Sequence, residues 1–296
     1  MIVDLAIAQF RPAKADPDGN LTAIVQTVLR ALELDPRPRL VVFPETALTG
    51  YFLEGGVREH GRSADALFAD LDERWTEAAP PGASIDVALG FFEFAEQRAF
   101  NSAMYVTLGG ELAGIRHVHR KVFLPTYGVF QEERFVEAGG GIQAFDTAWG
   151  RTAMLICEDA FHGIAGTLAA LDGAEVILVL SASPARGAEG PELPGNLRRW
   201  DQLASGMAAE HGVFVVLSQL LGFEGGKGFA GGSTAWAPNG GRILRGPLWE
   251  EALISLRIDK DELLRQRVEQ PLLADLESAW LRLLDASPGA GLRRET

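Results

Sequence analysis

The residue whose side chain is best suited to act as a nucleophile is Cys157, the single cysteine of the 296-residue chain. It follows the apolar run RTAMLI and directly precedes Glu158, Asp159 and a helix-compatible stretch. A thiol at a strand-to-helix junction lies near backbone N–H donors and the positive end of the helix, which favour a thiolate and can hold an oxyanion. A lone cysteine is more often a buried structural residue. The interpretation of Cys157 as a nucleophile therefore depends on its context.

An acid and a base follow two other strand-like segments. Glu45 ends RLVVFPE, and an acid at the C-terminal end of an interior strand faces the crevice where α/β sheets bind ligands. Lys121 lies in HVHRKVFLPTYG, whose alternating residues predict a strand leading into a proline-containing loop. Alone, Glu45 would cap the segment that starts at Thr46, and Lys121 would be a solvated lysine. Amide hydrolysis, however, needs a proton shuttle, oxyanion stabilisation and a nucleophile, which suit a carboxylate, an ammonium and a thiol.

Three sequence blocks contain these residues. FPETALTGY, HRKVFLPTYGVFQEERF and MLICEDAF resemble, in order and approximate spacing, the signature blocks of the nitrilase-like carbon–nitrogen hydrolase superfamily. The segments IAQF, SASP and GFAGGSTAWAPNGGRIL resemble further family positions, so the resemblance spans nearly the whole chain. It implies a cofactor-free amidase that binds no metal and forms a thioester on Cys157.

The same resemblance assigns roles to the individual groups. Glu45 would take the Cys157 proton, deliver a proton to departing ammonia and activate the water that releases a carboxylic acid. Lys121 and the backbone N–H of Glu158 would stabilise the tetrahedral oxyanion. A second glutamate often completes such sites, and KVFLPTYGVFQE places Glu132 there, with Glu133 as the rival.

Matching the blocks also predicts a substrate pocket with aromatic walls and a few polar groups. For each aromatic residue of this pocket, ordinary core packing is the alternative interpretation. The predicted substrate contacts are Tyr51, Tyr127, Phe130, Glu158, Phe161 and Ser183.

The substrate itself is less well defined, because branches of this superfamily act on nitriles, amides, carbamoyl compounds or glutamine. A nitrilase is disfavoured, since that branch has Cys-Trp-Glu where this chain reads Cys-Glu-Asp. An N-carbamoyl amino acid hydrolase needs an arginine for the substrate carboxylate, for which Arg186, Arg198 and Arg199 are candidates. LPTYGVFQEERF, CED and SASP most resemble the glutaminase domain of glutamine-dependent NAD synthetases. Since this sequence has no ATP-binding half, we expect an amidase of small linear amides. The alternatives are a glutaminase-like enzyme, an N-carbamoyl amino acid hydrolase, or a binding module with an inactive site.

The elements that position these residues are short strands alternating with helices, which predicts an α/β fold. The resemblance implies a four-layer α-β-β-α sandwich in a single domain, 1–286, followed by a flexible tail, 287–296. Strands are predicted at 2–9, 39–43, 85–92, 102–108, 112–118, 151–156, 175–181, 213–218, 232–237 and 252–258. Helices are predicted at 20–34, with Asn20 as the cap, and at 159–172, 196–211 and 271–285.

Composition limits the possible partners. A net charge of −13 repels polyphosphate and anionic lipid, so neither nucleic acid nor a membrane is an expected partner. The apolar runs are far shorter than the roughly 20 residues of a membrane span, and no secretory signal is visible, so a cytoplasmic location is predicted. His117 and His119 share a strand face, but without a third ligand a structural pair is favoured over zinc. The resemblance implies a homodimer or a higher homo-oligomer, with 161–171 and 271–284 as contact candidates.

Overall fold

Strands and helices alternate along the part of the chain that the computed structural model describes, residues 1–187 and 193–286. In chain order the strands are β1 (Ile2–Gln9), β2 (Leu40–Val42), β3 (Ile85–Ala95), β4 (Arg98–Leu108), β5 (Gly114–Arg120), β6 (Ala144–Thr147), β7 (Gly150–Ile156), β8 (Val176–Ser181), β9 (Phe214–Gln219), β10 (Leu221–Glu224), β11 (Lys227–Ala230), β12 (Thr234–Trp236), β13 (Arg242–Arg245) and β14 (Ala252–Asp259). The helices are α1 (Pro17–Ala31), α2 (Val57–His60), α3 (Ala64–Ala78), α4 (Gly163–Leu171), α5 (Gly195–His211), α6 (Asp261–Glu269) and α7 (Leu272–Ala286).

Most strands of the described residues belong to two six-stranded sheets. The first has the order β14-β1-β2-β3-β4-β5, and the second has the order β13-β12-β9-β8-β7-β6. In the centre of each sheet the strands are parallel: β2 pairs with β1 and β3, and β8 pairs with β7 and β9. Strands β10 and β11 form a separate antiparallel hairpin. The carboxyl ends of β2, β7 and β8 lead into segments that contain Glu45, Cys157 and Ala182.

The side chains of β1 show how the layers are stacked. Val3, Leu5 and Ile7 pack in the core shared with β7, β8 and β9, whereas Ala6 and Ala8 pack in the core shared with α1 and α3. Because successive strand side chains point to opposite faces, one face of the first sheet meets the second sheet and the other meets helices. Helices α4 and α5 cover the second sheet. The expected four-layer α-β-β-α sandwich is confirmed.

Several predicted boundaries differ from the observed ones. Helix α1 begins at Pro17 and is capped by Asp16, whose side chain accepts a hydrogen bond from the Gly19 N–H. Asn20, the predicted cap, is instead buried within the first turns and bonds the backbone of Ala13 and Leu48. A proline at the first helical position is compatible with helix geometry, which is why the helix starts earlier than the apolar periodicity suggested.

Helix α3 was not predicted, because its apolar stripe is narrow. Leu67, Leu71 and Trp75 are buried at four-residue spacing, while the intervening positions are mostly polar or charged. Among the described residues no helix is long and apolar enough to cross a membrane. The C-terminal helix α7 lies where the sequence predicted one. The predicted tail, 287–296, falls outside the described residues.

Candidate active site

Glu45 lies beyond the carboxyl end of β2, and its side chain is fully buried. Oε1 accepts hydrogen bonds from Asn101 Nδ2 at 2.8 Å and from Lys121 Nζ at 2.9 Å. Oε2 accepts one from the backbone N–H of Ala182 at 2.7 Å. A buried carboxylate requires such donors, since an unpaired charge in the interior is costly. The bonds fix the orientation of Glu45 between the two sheets.

Lys121 directly follows β5, and it is also fully buried. Its Nζ donates to Glu45 Oε1 at 2.9 Å and to Glu132 Oε1 at 2.8 Å. Burial by itself lowers the pKa of this ammonium, but the carboxylates of Glu132 and Glu45 outweigh burial and raise the pKa well above its usual range. Lys121 is therefore a fixed positive charge inside the protein.

Glu132 starts a short 3₁₀ turn, Glu132–Arg134, and is 8% exposed. Oε1 accepts hydrogen bonds from Lys121 Nζ and from the Tyr51 hydroxyl, whereas Oε2 is buried with no partner among the described residues. Burial is the main cause that raises the pKa of Glu132, and the nearby Glu45 carboxylate raises it further. Glu133 is exposed. Of the two candidate glutamates, Glu132 lies with Lys121.

Cys157 opens a 3₁₀ turn, Cys157–Phe161, immediately after β7. Its φ is 44°, in the left-handed region that a residue with a side chain rarely adopts, and such strain often occurs at functional sites. Cys157 is 8% exposed, and its thiol accepts a hydrogen bond from Ser181 Oγ at 3.5 Å. This turn presents the sulfur at the edge where Glu45 and Lys121 also lie.

The sequence predicted that Cys157 is a thiolate, whereas its surroundings in the structure favour the protonated thiol. Burial raises the pKa of Cys157, the Glu45 carboxylate raises it further, and Lys121 only partly opposes them. Helix α4 begins at Gly163 rather than directly after Cys157, so its positive end is not adjacent to the sulfur. The expectation that the junction itself favours a thiolate is wrong for the resting site. A neutral thiol beside a carboxylate requires proton transfer to that carboxylate during attack.

Buried acid, ammonium and thiol groups are thus brought together from segments far apart in sequence. A model of the carbon-nitrogen hydrolase family matches residues 4–267. This chain belongs to the carbon-nitrogen hydrolase family. The resemblance to nitrilase-like carbon–nitrogen hydrolases noted in the sequence is confirmed.

Relatives of this carbon-nitrogen hydrolase include a "Glutamine-dependent NAD(+) synthetase" of Thermotoga maritima, 30% identical over 274 residues, which cover 90% of this chain and 44% of the relative. The chain thus spans about half the length of that relative. A "Probable nitrilase" of Schizosaccharomyces pombe is 26% identical over 88% of this chain and 90% of its own. The solved carbon-nitrogen hydrolase of Helicobacter pylori is 21% identical, with a TM-score of 0.78 over 93% of this chain and 95% of that one, and supports the fold.

The predicted substrate contacts fall into two groups. Tyr51, Phe130, Tyr127 and Glu158 lie around the catalytic candidates of this carbon-nitrogen hydrolase. Tyr51 donates its hydroxyl to Glu132, and its ring meets Phe130 edge-on at 5.9 Å. Tyr127, 49% exposed, donates to Glu158 Oε2 at 2.8 Å. A cavity of about 390 Å³ is bordered by Tyr51, Phe130 and Glu132, a size that suits a small molecule.

Phe161 and Ser183 have other partners. The Phe161 ring packs edge-on against Trp200 at 4.8 Å, under the guanidinium of Arg199. Ser183 Oγ accepts a hydrogen bond from Asn196 Nδ2 at 3.3 Å. Within the SASP segment it is Ser181, two residues earlier, that contacts the thiol. The substrate roles of Phe161 and Ser183 stay predictions.

The candidate arginines and the histidine pair are also placed. The guanidinium of Arg186 lies over the Phe130 ring, 5.2 Å from its centre. Arg198 donates to the backbone carbonyl of Leu193 at 2.7 Å. His117 stacks on Phe145, and burial lowers its pKa to about 4. His119 bonds Asp159 at 2.8 Å, which supports the structural interpretation of this histidine.

Sequence reasoning missed Asn101, Ser181 and Asp159 as members of the site. Asn101 and Ser181 are at strand positions of ordinary appearance, and only the folded arrangement brings their side chains to Glu45 and Cys157. Asp159 carried a usable signal, because it belongs to the same block as the cysteine. Its carboxylate accepts hydrogen bonds from backbone N–H groups on both sides of the site.

Proposed function

We propose that this chain hydrolyses the carbon–nitrogen bond of a small linear primary amide, through a thioester on Cys157. The observation that carries the proposal is the buried ammonium of Lys121, held between Glu45 and Glu132. Two carboxylates around a fixed cation, beside a neutral thiol, supply a base, an oxyanion partner and a nucleophile in one water-poor site. Electrostatic interactions are strengthened there.

In the first half of the reaction, Cys157 Sγ attacks the amide carbonyl carbon while its proton moves to Glu45. The negative charge that develops on the carbonyl oxygen is stabilised by Lys121 Nζ and the Glu158 backbone N–H. The carbon–nitrogen bond then breaks, and the proton held by Glu45 goes to the leaving nitrogen, so ammonia departs. Glu132 holds the ammonium during these steps, and Tyr51 in turn donates to Glu132, which supports Lys121 as a positioned donor rather than a mobile charge.

In the second half, water attacks the thioester carbon while Glu45 takes its proton. The carbon–sulfur bond breaks, the sulfur regains a proton from Glu45, and a carboxylic acid leaves. The balance is one amide and one water converted into one acid and one ammonia. No external oxidant or reductant enters the reaction, because every step transfers a proton or an acyl group.

The test is an ammonia-release screen over simple primary amides, ω-amides, N-carbamoyl amino acids and nitriles, with a Cys157→Ala variant as the matched control. The proposal expects release from at least one primary amide, abolished in the variant. It also expects a covalent acyl intermediate, seen as a mass increase on the intact wild-type protein after rapid quenching. Absence of turnover in every amide class would refute it and favour a binding module.

A second candidate substrate class is the ω-amide of an amino acid, of the glutamine type. Three charged or polar side chains near the site support this class: Glu158, Tyr127 and Arg186. Tyr127 donates a hydrogen bond to Glu158, and the Arg186 guanidinium lies over the Phe130 ring. A carboxylate and a guanidinium complement the ammonium and carboxylate of an amino acid. The glutamine-dependent relative from Thermotoga maritima agrees with this class.

Arg186 offers a direct test of the second candidate. Replacement of Arg186 by Gln should lower kcat/KM for glutamine by about tenfold or more, the scale of one charge-assisted hydrogen bond. The value for an uncharged amide of similar length, such as butyramide, should remain unchanged. Equal effects on both substrates would contradict an amino-acid pocket while leaving amide hydrolysis itself intact.

A further inference from the structure

Asp159 is a fully buried carboxylate two residues after Cys157, within the same 3₁₀ turn. Its Oδ1 accepts hydrogen bonds from the backbone N–H groups of Val122 and Phe123, both at 2.9 Å. Its Oδ2 accepts one from the Ile156 N–H at 3.0 Å, and His119 Nε2 lies 2.8 Å from Oδ2. One side chain thereby joins two segments that are remote in sequence.

The positions of these partners connect the two segments to the chemistry. Val122 and Phe123 directly follow Lys121, and Ile156 directly precedes Cys157. The carboxylate therefore fixes the backbone of the ammonium-bearing segment relative to the turn that bears the thiol. To cap the 3₁₀ turn, Asp159 needs only the hydrogen bond that it accepts from the Ile156 N–H. The bonds to Val122 and Phe123 add nothing to the cap, and they cross to the first sheet.

The backbone of Cys157 makes such a restraint necessary. A φ of 44° is unfavourable for a residue with a side chain, and it persists where the surroundings impose it. Burial alone raises the pKa of Asp159, but the hydrogen bond and charge of His119, together with the backbone donors, outweigh burial and lower it. The carboxylate thus stays ionised, and it accepts every one of these bonds.

We propose that Asp159, held by His119, is a positioning residue that sets the register between Lys121 and Cys157. This inference rests on the proposed amide hydrolysis, since its purpose is to place the ammonium where the oxyanion forms on the attacked carbonyl. Asp159 acts through the backbone of both segments and does not itself contact substrate. A misplacement of about 1 Å in such a pair costs up to about a hundredfold in rate.

The experiment compares Asp159→Asn with Asp86→Asn, a matched control. Asp86 is also a buried carboxylate, bonded by the hydroxyls of Tyr105 and Thr107 at 2.7 Å, but it lies outside the site. For each variant, kcat is divided by the fraction of sites that form acyl-enzyme. Asp159→Asn should lower this kcat by about tenfold or more and change KM by less than about threefold. Asp86→Asn should leave kcat unchanged, even where its melting temperature falls.

A second readout does not need a substrate. Because Cys157 is the single cysteine, its alkylation by iodoacetamide can be followed by intact mass as a function of pH. Lys121 lowers the pKa of this thiol. Loss of register should therefore shift the alkylation profile of Asp159→Asn to higher pH, relative to both wild type and Asp86→Asn. If wild type hydrolyses no amide, the alkylation measurement still tests the role of Asp159. Failure of the proposed amide hydrolysis can thus be told apart from failure of the proposed role of Asp159.

The proposal is overturned if Asp159→Asn matches wild type in both readouts, or if Asp86→Asn shows the same losses. The proposal is also overturned if Cys157 in Asp159→Asn is alkylated faster than in wild type, with the pH profile of an exposed thiol. Such a result would mean that the Asp159 carboxylate only keeps the turn folded. If Asp159→Asn does not fold, His119→Gln decides. That variant keeps an N–H donor, so it should fold, but its flexible amide replaces the imidazole whose Nε2 lies 2.8 Å from Asp159 Oδ2. It should therefore lower kcat with KM unchanged; a folded His119→Gln with wild-type kcat and alkylation contradicts the proposal.

Discussion

Replacement of Lys121 by Met removes the cation between two buried carboxylates. Lys121 Nζ lies 2.9 Å from Glu45 Oε1 and 2.8 Å from Glu132 Oε1, and none of the three side chains is more than 8% exposed. Methionine fills similar volume but leaves both carboxylates without their ammonium. Breaking a buried ion pair by removing one partner costs about 3–5 kcal/mol in the free energy of unfolding. We expect a loss of this size at about pH 8, where both carboxylates would be ionised in the unfolded chain.

The loss should depend on pH in a defined direction. Burial raises the pKa of Glu132, and the Lys121 ammonium is the main group that opposes the rise. Without Lys121, folded Glu132 holds its proton to higher pH than the unfolded chain, whose glutamates titrate near about 4.3. The free energy of unfolding of Lys121→Met should then rise as pH falls from the pKa of folded Glu132 toward that of unfolded Glu132. It should fall as pH rises through the pKa of folded Glu132. The loss in free energy of unfolding of Lys121→Met, relative to wild type, should therefore be smaller at about pH 5 than at about pH 8.

Stability and catalysis can be separated with a second substitution. Adding Glu132→Gln to Lys121→Met removes one of the two uncompensated charges, so part of the lost free energy of unfolding should return at the higher pH. The catalytic rate should not return, because loss of an oxyanion donor lowers kcat by about a hundredfold or more. Urea unfolding, followed by tryptophan fluorescence at both pH values, measures the first effect. Ammonia release measures the second.

Two outcomes would refute this reasoning. A loss below about 1 kcal/mol at the higher pH would mean that the ammonium does not compensate the buried carboxylates. A large loss that is independent of pH and insensitive to Glu132→Gln would point to packing instead of charge. Lys121→Arg should also fail to restore kcat, since a planar guanidinium cannot occupy the place of a compact ammonium; near-normal turnover in that variant would mean that the charge acts from a distance.

Three further predictions concern other parts of the protein. Cys157→Ala should abolish amide hydrolysis at an unchanged melting temperature, and full activity in this variant would exclude the thioester route. Glu158→Gln should reduce the kcat/KM preference for cationic over neutral amides if Glu158 contacts substrate; unchanged selectivity with lower stability would assign it to the turn alone. The predicted homodimer, with α4 and α7 as contact candidates, should give twice the 31.9 kDa chain mass in light scattering, whereas a monomer at micromolar concentration would contradict it.

The sequence by itself identified Glu45, Lys121 and Cys157 as a group, because each lies in a contiguous block that resembles a signature block of the carbon–nitrogen hydrolase family. Each block joins a strand to a turn, and this junction is visible in the alternation and apolar runs of nearby residues. The central strands were predicted for the same reason. Strands β1 and β8 are largely apolar and buried, so the demand for burial and the preference for β-structure select the same residue types.

Weaker local signals left other elements unpredicted. Strands β6 and β13 are short edge strands with charged residues, and a stretch of four mixed residues has no distinctive period. The hairpin of β10 and β11 lies in a glycine-rich stretch for which the sequence predicted no strand. In these segments pairing with a neighbouring strand, rather than composition, determines the structure.

Tertiary structure alone decided which side chains complete the site. Glu132 and Glu133 are adjacent in sequence, and the fold turns Glu132 toward Lys121 while Glu133 stays exposed. Ser181 rather than Ser183 meets the thiol, because Ser181 is the last residue of β8, which pairs with β7, whereas Ser183 lies in the following loop and bonds Asn196. The protonation of Cys157 likewise depends on burial and on Glu45, more than a hundred residues away. Hydrogen bonds and charges between remote segments leave no local pattern, so their consequences appear when the chain is folded.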